Sequence, residues 1–272
     1  MRKFKNNLRY IQLYVGIGFA ILALLGILLY ILINGLQHLS WDFLFNINAP
    51  RGQTLVPIIF TTVLVVVLTL AVSVPLGIGS AIYLNEYAKM GSRFVKAIRM
   101  AIETLSGIPS ILYGLFGFLF YVIILRWTWS ILAGVFTVAI MVLPIIIRSS
   151  EEALKSVPDS YREGSYALGA GKFYTIRKTV LPSAIPGILA SIILTIGRIV
   201  GETAALILTA GTVVGMPTSL FDSSATLAVF MYTITVEGTD MDRAYATAVV
   251  LMVLILLLNT LANFIGKKLK PK

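Results

Sequence analysis

Two charged side chains stand inside an otherwise apolar run, SIILTIGRIVGETAALILTAG: Arg198 and Glu202. Four residues apart, they fall on one face of a helix and can pair. A charge in the middle of a bilayer is costly unless it faces protein or water. A guanidinium fork suits the oxygens of an oxyanion. Arg198 can therefore attract such an anion transiently, with Glu202 tempering the attraction so that it passes on. On the residues alone, a structural ion pair tying two spans together is the alternative. Gly197 and Gly201 form a G-x-x-x-G stripe beside the charges, a surface that lets another helix approach closely. Thr195, Thr203 and Thr209 add hydroxyls to the same run.

The chain has 272 residues, 58% hydrophobic and 12% charged. That charge is about half of what a soluble domain carries. Six apolar runs approach or exceed the roughly 20 residues that cross a bilayer as helix. They lie at about 11–33, 55–84, 108–125, 128–147, 184–210 and 244–265. None alternates as a barrel strand does. The expected fold class is an all-α membrane protein with six transmembrane helices. Residues 1–54 form a first span and an interfacial segment around Trp41, Phe43 and Phe45. Residues 55–272 form a five-helix core containing a loop at 148–183. The first run is too long for a signal-peptide core and is read as a retained span.

Eighteen of the 22 Lys and Arg residues fall on one side of this scheme, and Arg51, Arg126 and Arg243 on the other. The bias puts both termini in the cytoplasm. It accounts for the net charge of +10 without nucleic acid. The second span carries Thr61, Thr62, Thr69 and Ser73, then Pro75, Gly77 and Gly79, a pattern of packing against other helices. The third opens with SGIPSILYG, which predicts a closely packed helix end. Trp127 and Trp129 mark a tight outer turn. The stretch 211–243 is expected to form short helices.

The cytoplasmic segment RSSEEALKSVPDSYREGSYALGAGKFYTIRKTVLP, Arg148 to Pro182, is the longest charged stretch. Ser156, Pro158 and Asp159 read as a helix start: hydroxyl cap, proline in the first turn, and an acid at the positive end of the dipole. Gly169 and Gly171 supply a stop. A second helix is expected over about Lys172 to Val180, ended by Pro182. A structured, solvent-facing segment between two spans predicts a docking element for a soluble partner.

The spacing resembles the signature of ABC-importer permeases, E-A-A-x3-G-x9-I-x-L-P. Glu163, Gly164, Ser165, Gly169, Leu181 and Pro182 match in position. Gly164 and Ser165 replace the alanines, and Thr179 stands at the isoleucine. The stretch from about 75 to 211 goes further and is similar to the PstA-type permeases of phosphate importers, on PLGIGSAIYLNEYA, GIPSILYGLFG, IRSSEEAL and GETAALILTAG. The resemblance implies a type I (MetI-like) permease in which Glu163, Gly164, Ser165, Gly169, Leu181 and Pro182 couple to an ATPase. Its Arg198 and Glu202 would line the route for phosphate. The implied partners are a second, PstC-like permease, a PstB-like ATPase dimer and an external PstS-like phosphate-binding protein. ATP and Mg would be bound by the ATPase, with no cofactor in this chain.

Other readings remain open: a PstC-type sibling, a permease for sulfate or molybdate, or a transporter working alone. The last should show internal inverted repeats, and none is found. There is no P-loop and no acidic cluster for magnesium, so the chain is not expected to hydrolyse ATP. It has no cysteine, and its single histidine, His38, is expected to be an interfacial residue near Trp41.

Overall fold

The computed structural model describes residues 2–45, 54–89, 91–238 and 240–269, and every element among them is helical. Arg51, Lys270 and Lys272, which enter the charge bias, lie outside the described residues. The helices are α1 (Arg2–Gln37), α2 (Trp41–Phe45), α3 (Val56–Ile82), α4 (Arg93–Ser106), α5 (Ser110–Gly117), α6 (Ile131–Lys155), α7 (Asp159–Ala167), α8 (Lys172–Thr175), α9 (Leu181–Val200), α10 (Ala204–Thr209), α11 (Leu227–Val236) and α12 (Met241–Leu269). Three are prolonged by a wider π turn: α3 by Tyr83–Tyr87, α5 by Phe118–Ile124, and α8 by Ile176–Val180. Five continuous helices are long and apolar enough to span a membrane, and α4 with α5 completes six if that bent pair counts as one.

α6 is the core of the bundle. Its buried face runs from Ile131 to Leu154 and packs on α3 and α9. The central cluster joins Ile58 and Val65 of α3, Val138 and Met141 of α6, Ile199 of α9 and Leu227 of α11. Small residues and hydroxyls make the close contacts. A Cβ on Gly114 would meet the Ala205 Cα at 2.7 Å, so α5 and α10 touch backbone to backbone. Thr61 and Thr62 of α3 reach across to the chain before α11. Thr61 Oγ1 is 2.7 Å from Ser224 Oγ, and the Leu227 amide donates to Thr62 Oγ1 at 2.9 Å. The packing role expected for the second span's hydroxyls is realised here.

α1 is different. Leu13, Phe19, Leu22 and Ile33 are all exposed, and the helix packs mainly on α12. A helix apolar all round and exposed all round is stable only in lipid.

Three expectations need correction. The segment before the third run is not a plain loop, since α4 occupies Arg93–Ser106 and meets α5 at 101°. Val95, Ile98 and Ile102 face the bundle while Arg93 and Lys96 face out, the amphipathic pattern of a helix lying on a surface. Pro109 enforces the break, because the residue before proline is pushed out of helical geometry, and the Tyr113 hydroxyl pins it by donating to Leu105 O at 2.8 Å. The fifth run, expected at 184–210, stops as helix at Val200 and resumes as α10. Lastly, the described residues of 211–243 hold α11 and, from Met241, the start of α12. The rest is irregular chain tied down by backbone bonds, such as Ile131 N to Asp222 O at 3.0 Å.

Candidate functional site

One end of the bundle, the loop end, carries the segment between α6 and α9. α6 stops at Ser156, whose hydroxyl donates back to Ala153 O at 2.8 Å. Ser156 thus closes α6 and does not cap α7. Pro158 occupies the N-cap of α7 with no side-chain bond, and Asp159 sits in its first turn. α7 buries none of its residues. Glu163 and Gly164 face outward, and a Cβ on Gly164 would meet nothing. Ser165 turns inward, 2.8 Å from the buried Thr175 Oγ1 of α8. Gly169 takes φ +82°, the left-handed geometry that ends a helix and that side chains resist.

From Lys172 the helix runs unbroken to Val200, so Pro182 does not end it. Pro182 sits in the first turn of α9, where an amide would lack a partner in any case. The π turn just before it widens the helix where the proline ring would meet the preceding turn. A concavity of about 880 Å³ opens between α7 and α8, bordered by Tyr161, Gly164, Leu168, Tyr174 and Lys178. Leu168 is 90% exposed and Phe173 68%. Beneath them, Leu181 packs with Ala81, Leu154, Val157, Val180 and Ile188, an apolar cluster shared by α3, α6 and α9.

Sequence reading missed the residue that ties α7 to this body. Arg162 Nη2 lies 2.8 Å from Glu86 Oε1, in the π turn that ends α3, with both side chains largely buried. The same guanidinium donates to Leu154 O at 3.0 Å and Val157 O at 2.8 Å, and to Asp159 Oδ1 at 3.1 Å. The hydrogen bond to Glu86 holds the Arg162 pKa above its ordinary value, with burial opposing. Nearby, Glu151 on α6 binds Arg99 Nη2 at 2.7 Å and Lys155 Nζ at 2.8 Å, fixing α4 to α6.

The second candidate region lies where α9 ends. Gly201 closes α9, and the buried Glu202 accepts the Ala205 amide at 3.0 Å, capping α10. Arg198, in the last turn of α9, is exposed, and no ion pair joins it to Glu202. The helix end between them separates the two. Among the described residues Arg198 has no hydrogen-bond or salt-bridge partner, and the first turn of α5, with Tyr113, lies near it. That turn has no side-chain cap. A Cβ on Gly197 would meet nothing, and one on Gly201 only the Gly197 carbonyl. The G-x-x-x-G stripe is therefore open in this chain, with Leu194 exposed beside it.

The described residues thus form a multi-pass helical bundle with one face of its fifth span open and an exposed helical segment between spans. Residues 73–272 match the family described as binding-protein-dependent transport system inner membrane component, and the chain belongs to that family. Members work with an ATPase and a substrate-binding protein and are not themselves catalytic. The chain is 32% identical over 277 residues to a probable ABC transporter permease, YqgI of Bacillus subtilis, covering 94% of each. It is 36% identical over 257 residues to a phosphate transport system permease protein PstA homolog of Mycoplasma pneumoniae, covering 89% of this chain and 38% of that longer protein. It is 34% identical to phosphate transport system permease protein PstA 1 of Mycobacterium tuberculosis, over 71% of this chain and 64% of that one. The fold is that of a bacterial alginate ABC importer, with TM-score 0.72 at 18% identity over the full length of both chains. It is also that of the MetNI methionine transporter, with TM-score 0.63 at 17% identity over 90% of this chain.

Proposed function

We propose that this chain is the PstA-type permease subunit of an ATP-driven phosphate importer. It forms half of the path with a PstC-like permease, docks a PstB-like ATPase dimer through α7, and receives phosphate from a PstS-like binding protein. The names of its relatives support the substrate. The observation that carries the reading is Arg198: an exposed guanidinium with no acidic partner among the described residues, on an open face, near the uncapped start of α5. A free helix N-terminus adds favourable dipole and amide donors for an anion, and broken helices of this kind bind anions inside other transporters. Glu202, held in its capping role, keeps a negative charge near the path and limits how tightly phosphate is retained.

The open Gly197–Gly201 stripe fits the second permease. Glu163, Gly164 and Gly169 form the surface that the ATPase grips, with Ser165 holding α7 to α8 beneath it and Leu181 and Pro182 at the start of α9, where the motion enters the span. The lysine and arginine bias supports a cytoplasmic position for the loop end and both termini. Residues 1–54 are read as a first span and an external segment beside the five-helix core; of their described part, α1 packs mainly on α12, while Phe43 of α2 is buried in the central cluster. ATP-driven closure of the ATPases moves α7, tilts the spans and opens the path outward; hydrolysis returns it inward.

The test is Arg198→Ala in the reconstituted complex. Phosphate uptake is lost while assembly and ATP hydrolysis persist. Normal phosphate uptake by the variant overturns the anion role, and uptake of sulfate or molybdate in place of phosphate by the wild type reassigns the substrate.

A further inference from the structure

We propose that Arg162 is a mechanical latch that makes α7 move as one body with the ends of α3 and α6. The inference rests on α7 being the docking helix of an ATP-driven permease, and not on phosphate being the substrate.

α7 has no buried apolar residue, so apolar packing does not fix it to the bundle. Its polar ties are few. Ser165 reaches α8 through Thr175. Arg162 alone, among the described residues, reaches both α3 and the end of α6. Nε and Nη2 bind Glu86, Nη2 also binds Leu154 O, and Nη1 binds Val157 O and Asp159. Leu154 lies in the last turn of α6, whose terminal carbonyls have no partners within the helix. Glu86 lies in the π turn that ends α3, 76 residues away in sequence. One planar, rigid donor set thus joins the tip of the docking helix to two spans that carry the core of the bundle. Lysine offers its donors from a single point and cannot span the same four acceptors.

A push on α7 can be spent in two ways: by sliding the helix over the surface, or by carrying the spans with it. The pair Arg162–Glu86 decides between them. It is largely withdrawn from water, with side chains 14% and 6% exposed, so parting it leaves a buried charge without its partner. Sliding is opposed, and motion passes to α3 and α6.

The chain has no cysteine, which makes a two-label test clean. Spin labels are placed at the exposed Tyr83 (Y83C) and Ala167 (A167C) in the complete, reconstituted complex. Their separation is measured without nucleotide and with ATP plus vanadate, beside uptake per ATP hydrolysed. The latch predicts one narrow separation that ATP leaves unchanged in the otherwise wild-type chain. Arg162→Lys and Glu86→Gln broaden or shift it, and lower uptake per ATP by about tenfold while ATP hydrolysis continues. A separation that changes with ATP in the wild-type background, or single variants that keep it narrow, overturns the latch. So does loss of complex abundance in step with loss of uptake, which assigns the pair to assembly. The label distances are read whatever the solute, so a wild-type complex that hydrolyses ATP without accumulating phosphate sinks the substrate assignment alone.

Discussion

Arg198 and Glu202 are four residues apart yet belong to different helices: Arg198 lies exposed in the last turn of α9, and Glu202, 7% exposed, caps α10. Their spacing would pair them on a continuous helix, but Gly201 ends α9 between them. The carboxylate is committed to a backbone amide, and the guanidinium has no ion-pair partner among the described residues.

The capping bond gives a first prediction. Glu202→Ala removes the acceptor for the Ala205 amide and costs about 1 kcal/mol, the usual worth of a helix cap. Glu202→Gln keeps an acceptor oxygen and costs less. Thermal unfolding of the purified complex orders the three as wild type, Gln, Ala.

A second concerns Gly114. Its missing Cβ lets α5 lie against the α10 backbone at Ala205. A backbone atom cannot swing aside as a side chain can, so Gly114→Ala forces the helices apart at a cost of about 1–3 kcal/mol. A lowered melting temperature, with Gly197→Ala melting as wild type in the isolated subunit, is the expected pattern.

Gly169 supplies a third. Its φ of +82° admits alanine only with strain, worth about 1–2 kcal/mol in the left-handed region. Asn visits that region more readily. Gly169→Ala therefore weakens ATPase docking in a pull-down more than Gly169→Asn does.

Much of this was legible in the sequence, and the pattern of misses has a physical cause. Apolar run length located the spans, because lipid demands unbroken helix of a set length. The α7–Gly169–α8 sequence was legible because proline, acid and glycine signals act within a few residues. Glu202 was misread because hydropathy continues through Ala204–Thr209 and does not register a cap. The α4–α5 bend had a local signal, Pro109 after Gly107, and α4 had an amphipathic one in RFVKAIRMAIE; both were outweighed by the run of basic residues. The Glu86–Arg162 pair had no such signal. Nothing within either segment specifies a partner 76 residues distant.

A fourth prediction is pH-dependent. Asp222 accepts the amides of Thr218 and Ser219 and the Thr218 hydroxyl, and these bonds hold its pKa below the ordinary carboxylate value. A depressed carboxylate stabilises its surroundings while ionised, and that contribution fades as pH falls through the folded-state pKa. The turn at 218–222 is therefore firm at neutral pH and loosens only in acid below the usual aspartate range. Phe221 stands edge-on to Trp127, so Trp127 fluorescence in a chain lacking the other two tryptophans follows the change. Asp222→Asn removes the pH dependence.

The central claim is that this subunit moves phosphate only when an ATPase drives it. The most direct measurement is radiolabelled phosphate accumulation in liposomes holding the complete complex with its binding protein, compared with liposomes holding the two permeases alone. Uptake that requires the ATPase and hydrolysable ATP, and that vanishes with Arg198→Ala, is the predicted result. Phosphate accumulation by the permeases without the ATPase, driven by an ion or proton gradient, would contradict it.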